Sequence, residues 1–370
     1  MAEDRKRKQN FFQFGLLYAT IDGNNEAQGS DPAGQRGSSK SSAERVDRKV
    51  DNFYPVCDYP SAMRVIRGVK NYIEKYPHPV LTLGNFDGVH LGHQAIFRKI
   101  TERAKAIAGV SIAFTFEPHP LKVLAPERSP RLLNTFHGKM RLFEQAGIDA
   151  VICANFTRSF ADQNPDDFAR EVLHKLIGVK EIYVGYDYAF GKGREGSIES
   201  LKKMGHAYGF EVGVIDPIRI DDIVVSSSAV REFLSNGRVE DAARLLGRHY
   251  SIEGEVVHGA HRGQKLGFPT ANLKTANEMI PAFGVYAVVA SVRGQSKKGV
   301  ASIGIRPTFD SGPVSIEVYL FDFEKDLYGS EMEVAFVRRL RGEQKFSSPE
   351  ALVRQINQDV LDAQEALKVI

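Results

Sequence analysis

Two histidines three residues apart, His90 and His93, close the string Leu81-Thr82-Leu83-Gly84-Asn85-Phe86-Asp87-Gly88-Val89-His90-Leu91-Gly92-His93. An apolar run stops at Gly84, a turn rich in Asn, Asp and Gly follows, and Ile96, Phe97, Ile100, Ala104 and Ile107 then recur at helical spacing. A strand that passes through a glycine turn into a helix N-terminus gathers free backbone N–H groups, and the helix dipole there favours negative charge. Histidines at i and i+3 share one face of the first turn. The chemistry this suits is a phosphate cradle for a nucleotide. Two other readings stay open, a metal pair and a plain structural turn. No glutamate lies between the histidines and no cysteine pair is near, which counts against zinc. The spacing fits neither the Walker loop nor Gly-x-Gly-x-x-Gly.

Three more patches carry ligand-like residues. Thr115-Phe116-Glu117-Pro118-His119-Pro120 is a turn stiffened by two prolines, with His119 at its tip. Val184 to Gly196 joins glycines, which let a backbone approach a ligand closely, to the aromatics Tyr186, Tyr188 and Phe190, the acid Asp187 and the bases Lys192 and Arg194. Ser226-Ser227-Ser228-Ala229-Val230-Arg231 offers hydroxyls, free N–H groups and a guanidinium one turn into a helix, a set suited to polyphosphate. Taken alone, the His119 turn reads as an ordinary turn and the serine patch as an ordinary capped helix.

Further along, Gly267-Phe268-Pro269-Thr270-Ala271-Asn272 places a hydroxyl and an amide oxygen two residues apart. On extended backbone both can face one hard cation. Glu317 sits among apolar strand residues, where a carboxylate either faces water or accepts a proton beside a metal-bound triphosphate.

These residues need elements to hold them. Apolar runs at 80–83, 110–116, 150–153, 182–184 and 212–215 alternate with helical segments at 92–108, 137–146, 165–176 and 197–208, the pattern of a parallel sheet covered on both faces. Such sheets bind ligands at the carboxyl ends of their strands, where the patches fall. Segment 228–246 reads as two helices broken at Asn236-Gly237. After Gly247 the texture changes to short strand-like runs at 250–257, 284–293, 298–305, 314–323 and 331–340, which predict an antiparallel barrel, with a final helix over 349–366. The fold class is therefore α/β followed by β.

The chain of 370 residues suffices for two domains and a tail. We expect boundaries of 1–62, 63–246 and 247–370. Residues 22–50 are too polar to offset ordering entropy, so 1–62 is expected to be a disordered tail or an extension from an upstream start codon, with Met63 the favoured start. The basic run Arg5-Lys6-Arg7-Lys8 before Phe11 and Phe12 loosely imitates a secretion signal, but its apolar part is short and broken. A net charge of +3 from mixed signs gives no argument for nucleic acid or membrane partners. The only cysteines, Cys57 and Cys153, form no disulfide framework or zinc pattern, which fits a cytoplasmic protein.

In the same order, the four sheet patches resemble the FAD synthetase half of the bacterial bifunctional riboflavin kinase/FMN adenylyltransferases, with Gly84-x-Phe86-Asp87-Gly88-x-His90-x-Gly92-His93 as the signature. Coverage runs from Met63 to the C-terminus. The resemblance implies a nucleotidyltransferase sheet of Rossmann-like type joined to a flavokinase barrel with a terminal helix. It implies His90 and His93 on ATP phosphates, with Gly84, Phe86, Asp87, Gly88, His119, Asp187, Phe190, Arg194, Ser227, Ser228 and Arg231 around ATP or flavin. Tyr188 stands where Phe is usual, and Ser228 where Thr is frequent. In the barrel it implies Thr270 and Asn272 as Mg²⁺ ligands, Glu317 as the kinase base, and Gly267, Phe268, Pro269, Gly284, Tyr286 and Arg306 around the nucleotide or flavin. A basic residue is usual three places before Gly267, where this chain has Gln264 beside Lys265. The implied reactions turn riboflavin into FMN and FMN into FAD, each with ATP and Mg²⁺. Self-association stays open. Two other functions are carried along: an enzyme with one live site, most plausibly the kinase, and a flavin-binding regulator without turnover.

Overall fold

The computed structural model describes residues 63–259, 267–305, 314–323 and 325–368. A six-stranded sheet has the order β1-β4-β3-β2-β5-β6, built from Arg64–Arg67, Pro79–Leu83, Val110–Glu117, Ala150–Asn155, Glu181–Gly185 and Glu211–Ile215 for β1 to β6. Every pair in it is parallel. Successive strands step from β2 outward through β3 to β4, then return to β5 on the other side of β2. The reversal opens a crevice at the carboxyl ends of β2 and β5.

Alternate side chains send the two strand faces to different cores. Val80, Ala113 and Val151 pack with Phe97 and Ile100 of α1 (Leu91–Ala106) and Met140 and Phe143 of α2 (Phe136–Gln145). Leu81, Ile112, Phe114 and Ile152 pack on the opposite side. There they meet Leu173 of α3 (Phe168–Ile177), which is wound at π pitch, and Leu201 of α4 (Ile198–Tyr208). All five residues of β2 are buried, as a central parallel strand requires. The strand β1 had no clear signal in the sequence. It is four residues long on the sheet edge, with arginine at both ends.

The predicted barrel is present and closed, in the order β10-β13-β12-β11-β14-β9. Its strands β9 to β14 are Tyr250–Val257, Ala271–Thr275, Gly284–Val292, Gln295–Ile305, Val314–Leu320 and Glu331–Arg341. A small hairpin, β7 (Arg219–Ile220) with β8 (Ile223–Val224), precedes it. Helices α5 (Ser227–Ser235) and α6 (Val239–Leu246) follow that hairpin and break where expected. Their buried residues Val230, Phe233, Leu234, Ala242 and Leu245 join the barrel core of Ile252, Tyr286, Val288 and Phe336. The serine-rich helix start is thus anchored from the barrel side. The last helix, α7 (Pro349–Ala366), packs Ala363 and Ala366 against Ala287 and Val337 on the barrel's outer surface. No helix among the described residues is long and apolar enough to cross a membrane.

Candidate functional site

The glycine turn after β2 is held from both sides. Phe86 and Gly88 have positive φ, and a Cβ on Gly88 would meet Leu133 Cδ1 at 2.5 Å. Phe86 is almost wholly buried against Phe97 and Phe143, with its ring edge-on to His93 at 5.2 Å. A Cβ on Gly84 would strike the same ring, so Gly84 and Phe86 set the floor of the turn. The Asp87 carboxylate accepts from the Leu133 and Asn134 backbones and forms an ion pair with Arg231, both partners largely buried. Ser227 Oγ donates to the Asp87 carbonyl at 2.8 Å, and Asn134 Oδ1 accepts from Gly88 N at 2.9 Å.

His90 caps α1 and stacks on His93, ring centroids 3.6 Å apart. Burial, reinforced by the positive charges of Arg248 and Arg231, lowers the His90 pKa to about 4. Burial and the neighbouring His90 and Lys139 hold His93 well below the usual imidazole range. Both rings are therefore neutral at pH 7, and three cations surround them. His93 Nδ1 is buried without a hydrogen-bond partner among the described residues. The field at this helix start is positive, which suits an anion and repels a cation. That weakens the metal-pair reading.

His119 follows β3 and caps a short helix, Pro120–Leu124, accepting from Leu121 N at 3.2 Å. Burial again dominates and lowers its pKa to about 4. His119 and Asp87 line a cavity of about 180 Å³ with Asn85, Phe116, Glu117 and Lys139. Ala276 and Glu278, from the loop after β10, complete that wall. Glu278 pairs with Lys122 and accepts from Leu132 N at 3.0 Å, so the barrel helps to close a cavity of the sheet half.

The other residues expected here differ in how directly they face that space. Asp187 and Arg194 are exposed beyond β5, and Arg194 has φ 61°. Phe190 stacks with Tyr188 at 5.7 Å and packs on Phe168, which stiffens the loop. Ser228 is exposed at the start of α5, while Ser226 is the residue that caps it. Arg231 was expected to present a phosphate fork. Its Nη2 instead serves Asp87 and its Nε donates to the Arg131 carbonyl at 2.8 Å.

Sequence reasoning missed Asn134, Lys139 and Arg248. Arg248 donates to the Gly88 carbonyl at 2.7 Å and the Val89 carbonyl at 3.1 Å, and burial lowers its pKa to about 10. These residues lie far along the chain from the signature, and lysine or arginine on a helix or strand end normally reads as solvated surface. The one available sign was Lys139 on the apolar side of α2, between Gly138 and Met140.

In the barrel, β10 and β13 pair so that Asn272 lies opposite Glu317. Thr270 Oγ1 donates to Glu317 at 3.2 Å, and Ser315 Oγ makes a longer 3.5 Å contact with the same carboxylate. Asn272 is buried, and a Cβ on Gly259 would fall 2.1 Å from its Nδ2. A hydroxyl and a carboxylate thus meet beside Asn272, which is Glu317's register partner on the neighbouring strand. Phe268 packs edge-on to Tyr319, while Pro269 and Thr270 border a cavity of about 140 Å³. Gly267 has φ +87°. Gly284 has φ 153°, and a Cβ there would come 2.4 Å from the Arg341 carbonyl. Tyr286 is fully buried against Phe336 and donates to the Ala282 carbonyl, so its ring serves the core and offers no face to a ligand. Arg306, Gln264 and Lys265 lie outside the described residues.

Family models match both halves, an FAD synthetase model at residues 73–229 and a riboflavin kinase model at 246–367. A bifunctional riboflavin kinase/FMN adenylyltransferase of Escherichia coli is 39% identical over 308 residues, covering 82% of this chain and 97% of its own. One from Buchnera aphidicola is 36% identical over 310 residues, covering 83% and 99%. The chain belongs to the bifunctional riboflavin kinase/FMN adenylyltransferase family. A crystal structure described as a macrolide-efflux protein from Streptococcus pneumoniae aligns with TM-score 0.74 at 31% identity, over 80% of this chain and 97% of that one. The likeness therefore spans sheet and barrel together. A riboflavin kinase/FMN adenylyltransferase has two ATP-dependent transfers to house, and the sheet half and the barrel half match the family models for one each.

Proposed function

We propose that residues 63–246 adenylylate FMN and residues 247–370 phosphorylate riboflavin, each with ATP. The observation that carries the first half is the buried, cation-ringed histidine pair at the crevice between β2 and β5. His90, His93 and the α1 N-terminus hold ATP phosphates, with Gly84, Phe86 and Gly88 shaping the turn. The FMN phosphate oxygen attacks the α-phosphorus, a P–O bond forms, and the bond to pyrophosphate breaks. The nucleophile is already anionic, so no general base is required and catalysis is positioning with charge neutralisation. Ser227 and Ser228 border the phosphates. Arg231 adds positive charge while it fixes Asp87. His119, Asp187, Phe190 and Arg194 border flavin and adenine.

In the barrel, Glu317 accepts the proton of the riboflavin 5′-hydroxyl as that oxygen attacks the γ-phosphorus and ADP leaves. Thr270 and Asn272 would hold Mg²⁺. Their few hard oxygen donors beside one carboxylate suit an ion that keeps waters and phosphate oxygens as its other ligands. When bound, Mg²⁺ supplies charge neutralisation of the triphosphate. Gly267, Phe268, Pro269 and Arg306 are assigned to the nucleotide-covering segment. Gly284 and Tyr286 support it from the barrel wall. We also infer a cytoplasmic enzyme without nucleic acid or membrane partners; the free, buried Cys153 fits a reducing compartment. Self-association is left to measurement of solution mass.

Purified protein given riboflavin, ATP and Mg²⁺ should yield FMN and ADP, then FAD and pyrophosphate. Formation of neither flavin nucleotide would overturn the assignment. Tight flavin binding without ADP or pyrophosphate release would instead favour a regulator. The retained carboxylate at Glu317, which a binder has no need of, argues against one.

A further inference from the structure

Lys139 lies on α2 and is 8% exposed. Among the described residues its Nζ makes one hydrogen bond, a long 3.4 Å contact to the neutral Thr115 hydroxyl, and no ion pair. An ammonium carries three donors and is costly to bury without a counter-charge. Lysines buried for structural reasons are paired. This one is not, and it lines the cavity it shares with Asp87, His119 and Asn134. Its charge acts on His93 on one side and on His119 on the other. It therefore stands between the histidine cradle and the turn after β3, where the two reacting phosphates must approach one another if the adenylyl-transfer reading is right.

We propose that the Lys139 ammonium is a seat for a phosphate oxygen of the adenylyl-transfer pair. The counter-charge it lacks within the protein is brought by substrate. The inference rests on the proposed adenylyl transfer in this cavity. The group bound is a phosphate, from FMN or from ATP, and the ammonium touches it directly without moving a proton. Burial lowers the Lys139 pKa, while Cys153, Glu117 and Asp87 act the other way, and a bound phosphate would further favour the charged form.

The test is Lys139→Met in the full chain, with Lys139→Arg beside it. Met fills a similar volume without charge. Kinase activity at the barrel reports that the variant is folded. The expected result for Lys139→Met is a KM raised by about 10- to 100-fold for one co-substrate of adenylyl transfer, the size of a lost hydrogen bond to a charged group. Kinase rate and melting temperature should be unchanged or, for the latter, higher. A raised KM for FMN assigns the seat to the flavin phosphate, and a raised KM for ATP assigns it to the nucleotide. Lys139→Arg should recover part of the loss. Unchanged KM for both substrates overturns the proposal, and so does a lowered melting temperature with both KM values intact. If wild-type protein makes no FAD from FMN and ATP, the adenylyl-transfer reading itself fails, a result distinct from a silent Lys139→Met.

Discussion

The two sites are assembled by different means. In the sheet half, groups that meet are distant in sequence and are tied by side chains. Asp87 is fixed by Arg231, 144 residues on, and the glycine turn by Asn134 and Arg248. In the barrel, Asn272 faces Glu317 because β10 and β13 are paired, and the backbone ladder sets the distance. The contrast follows from topology. Parallel strands are joined by long crossovers, so the loops at their carboxyl ends have no ladder to align them and need tethers. Antiparallel strands align their residues through register, with a period of two. The geometry of the sheet site should therefore depend on single charged tethers, whereas the register of the barrel site should hold when one side chain is changed.

The largest effects should separate the two sites cleanly. Glu317→Gln is expected to lower riboflavin phosphorylation by about 10²- to 10⁴-fold, the usual contribution of a general base. FAD formation from supplied FMN should be unchanged. His93→Ala should do the reverse. Both rates are read from one preparation by separating FMN and FAD chromatographically. Loss of both activities in either folded variant would show that the sites are not independent.

A tether mutation sharpens the comparison. Arg231→Ala leaves the Asp87 carboxylate buried without its cation, a change that costs about 3–5 kcal/mol. Chemical denaturation should show that loss, and adenylyl transfer should fall with it. The double variant Asp87→Asn/Arg231→Met should recover much of the stability without recovering activity. If Arg231→Ala proves neutral, the ion pair does not hold the turn and the tether model fails.

The elements were largely legible because strongly periodic segments announce themselves. The breaks at Asn236-Gly237 and the alternating strands fall where the pattern put them. The edge strand Arg64–Arg67 was not legible, since four residues with exposed ends carry no alternation. Strand Ala271–Thr275 was read only as extended backbone around a motif. Of the sheet site, the turn and its histidines stood out by spacing, whereas their supports did not. Lys139 and Arg248 are cations whose burial depends on tertiary contacts, and the pairing of Arg231 with Asp87 is invisible in sequence for the same reason. The role of Ala276 and Glu278 in the cavity wall could not be read from a segment that belongs to the other half.

Acid should weaken the sheet half through its histidines. His90 and His119 have folded pKa values of about 4 against 6.5 for an ordinary imidazole. Between these values the unfolded chain binds a proton that the folded chain does not. Stability is then fully present above about pH 6.5 and is lost as pH falls toward 4, by up to about 3 kcal/mol for each histidine. Melting temperature should drop over that window, and His90→Gln/His119→Gln should flatten the drop. Saturating ATP should also reduce it, because bound phosphates favour the charged rings. A double variant that melts in parallel with the wild type from pH 7 to 4 would mean that other groups carry the acid response.

The smallest effect probes the barrel by intrusion. Gly259 precedes a segment outside the described residues, and its missing Cβ leaves room for the Asn272 amide. In Gly259→Ala the added methyl would sit 2.1 Å from Nδ2, so the Asn272 side chain must move from its present position. The backbone ladder between β10 and β13 is untouched, and stability should change by no more than about 1 kcal/mol. The kinase should lose activity several-fold at limiting Mg²⁺ and regain part of it as Mg²⁺ is raised, since the displaced amide is one of the oxygens assigned to the ion. Adenylyl transfer from supplied FMN gives the internal control. A kinase rate lowered equally at all Mg²⁺ concentrations would assign Asn272 to the nucleotide or to the flavin instead of the metal, and would leave the barrel site built by register with a different occupant.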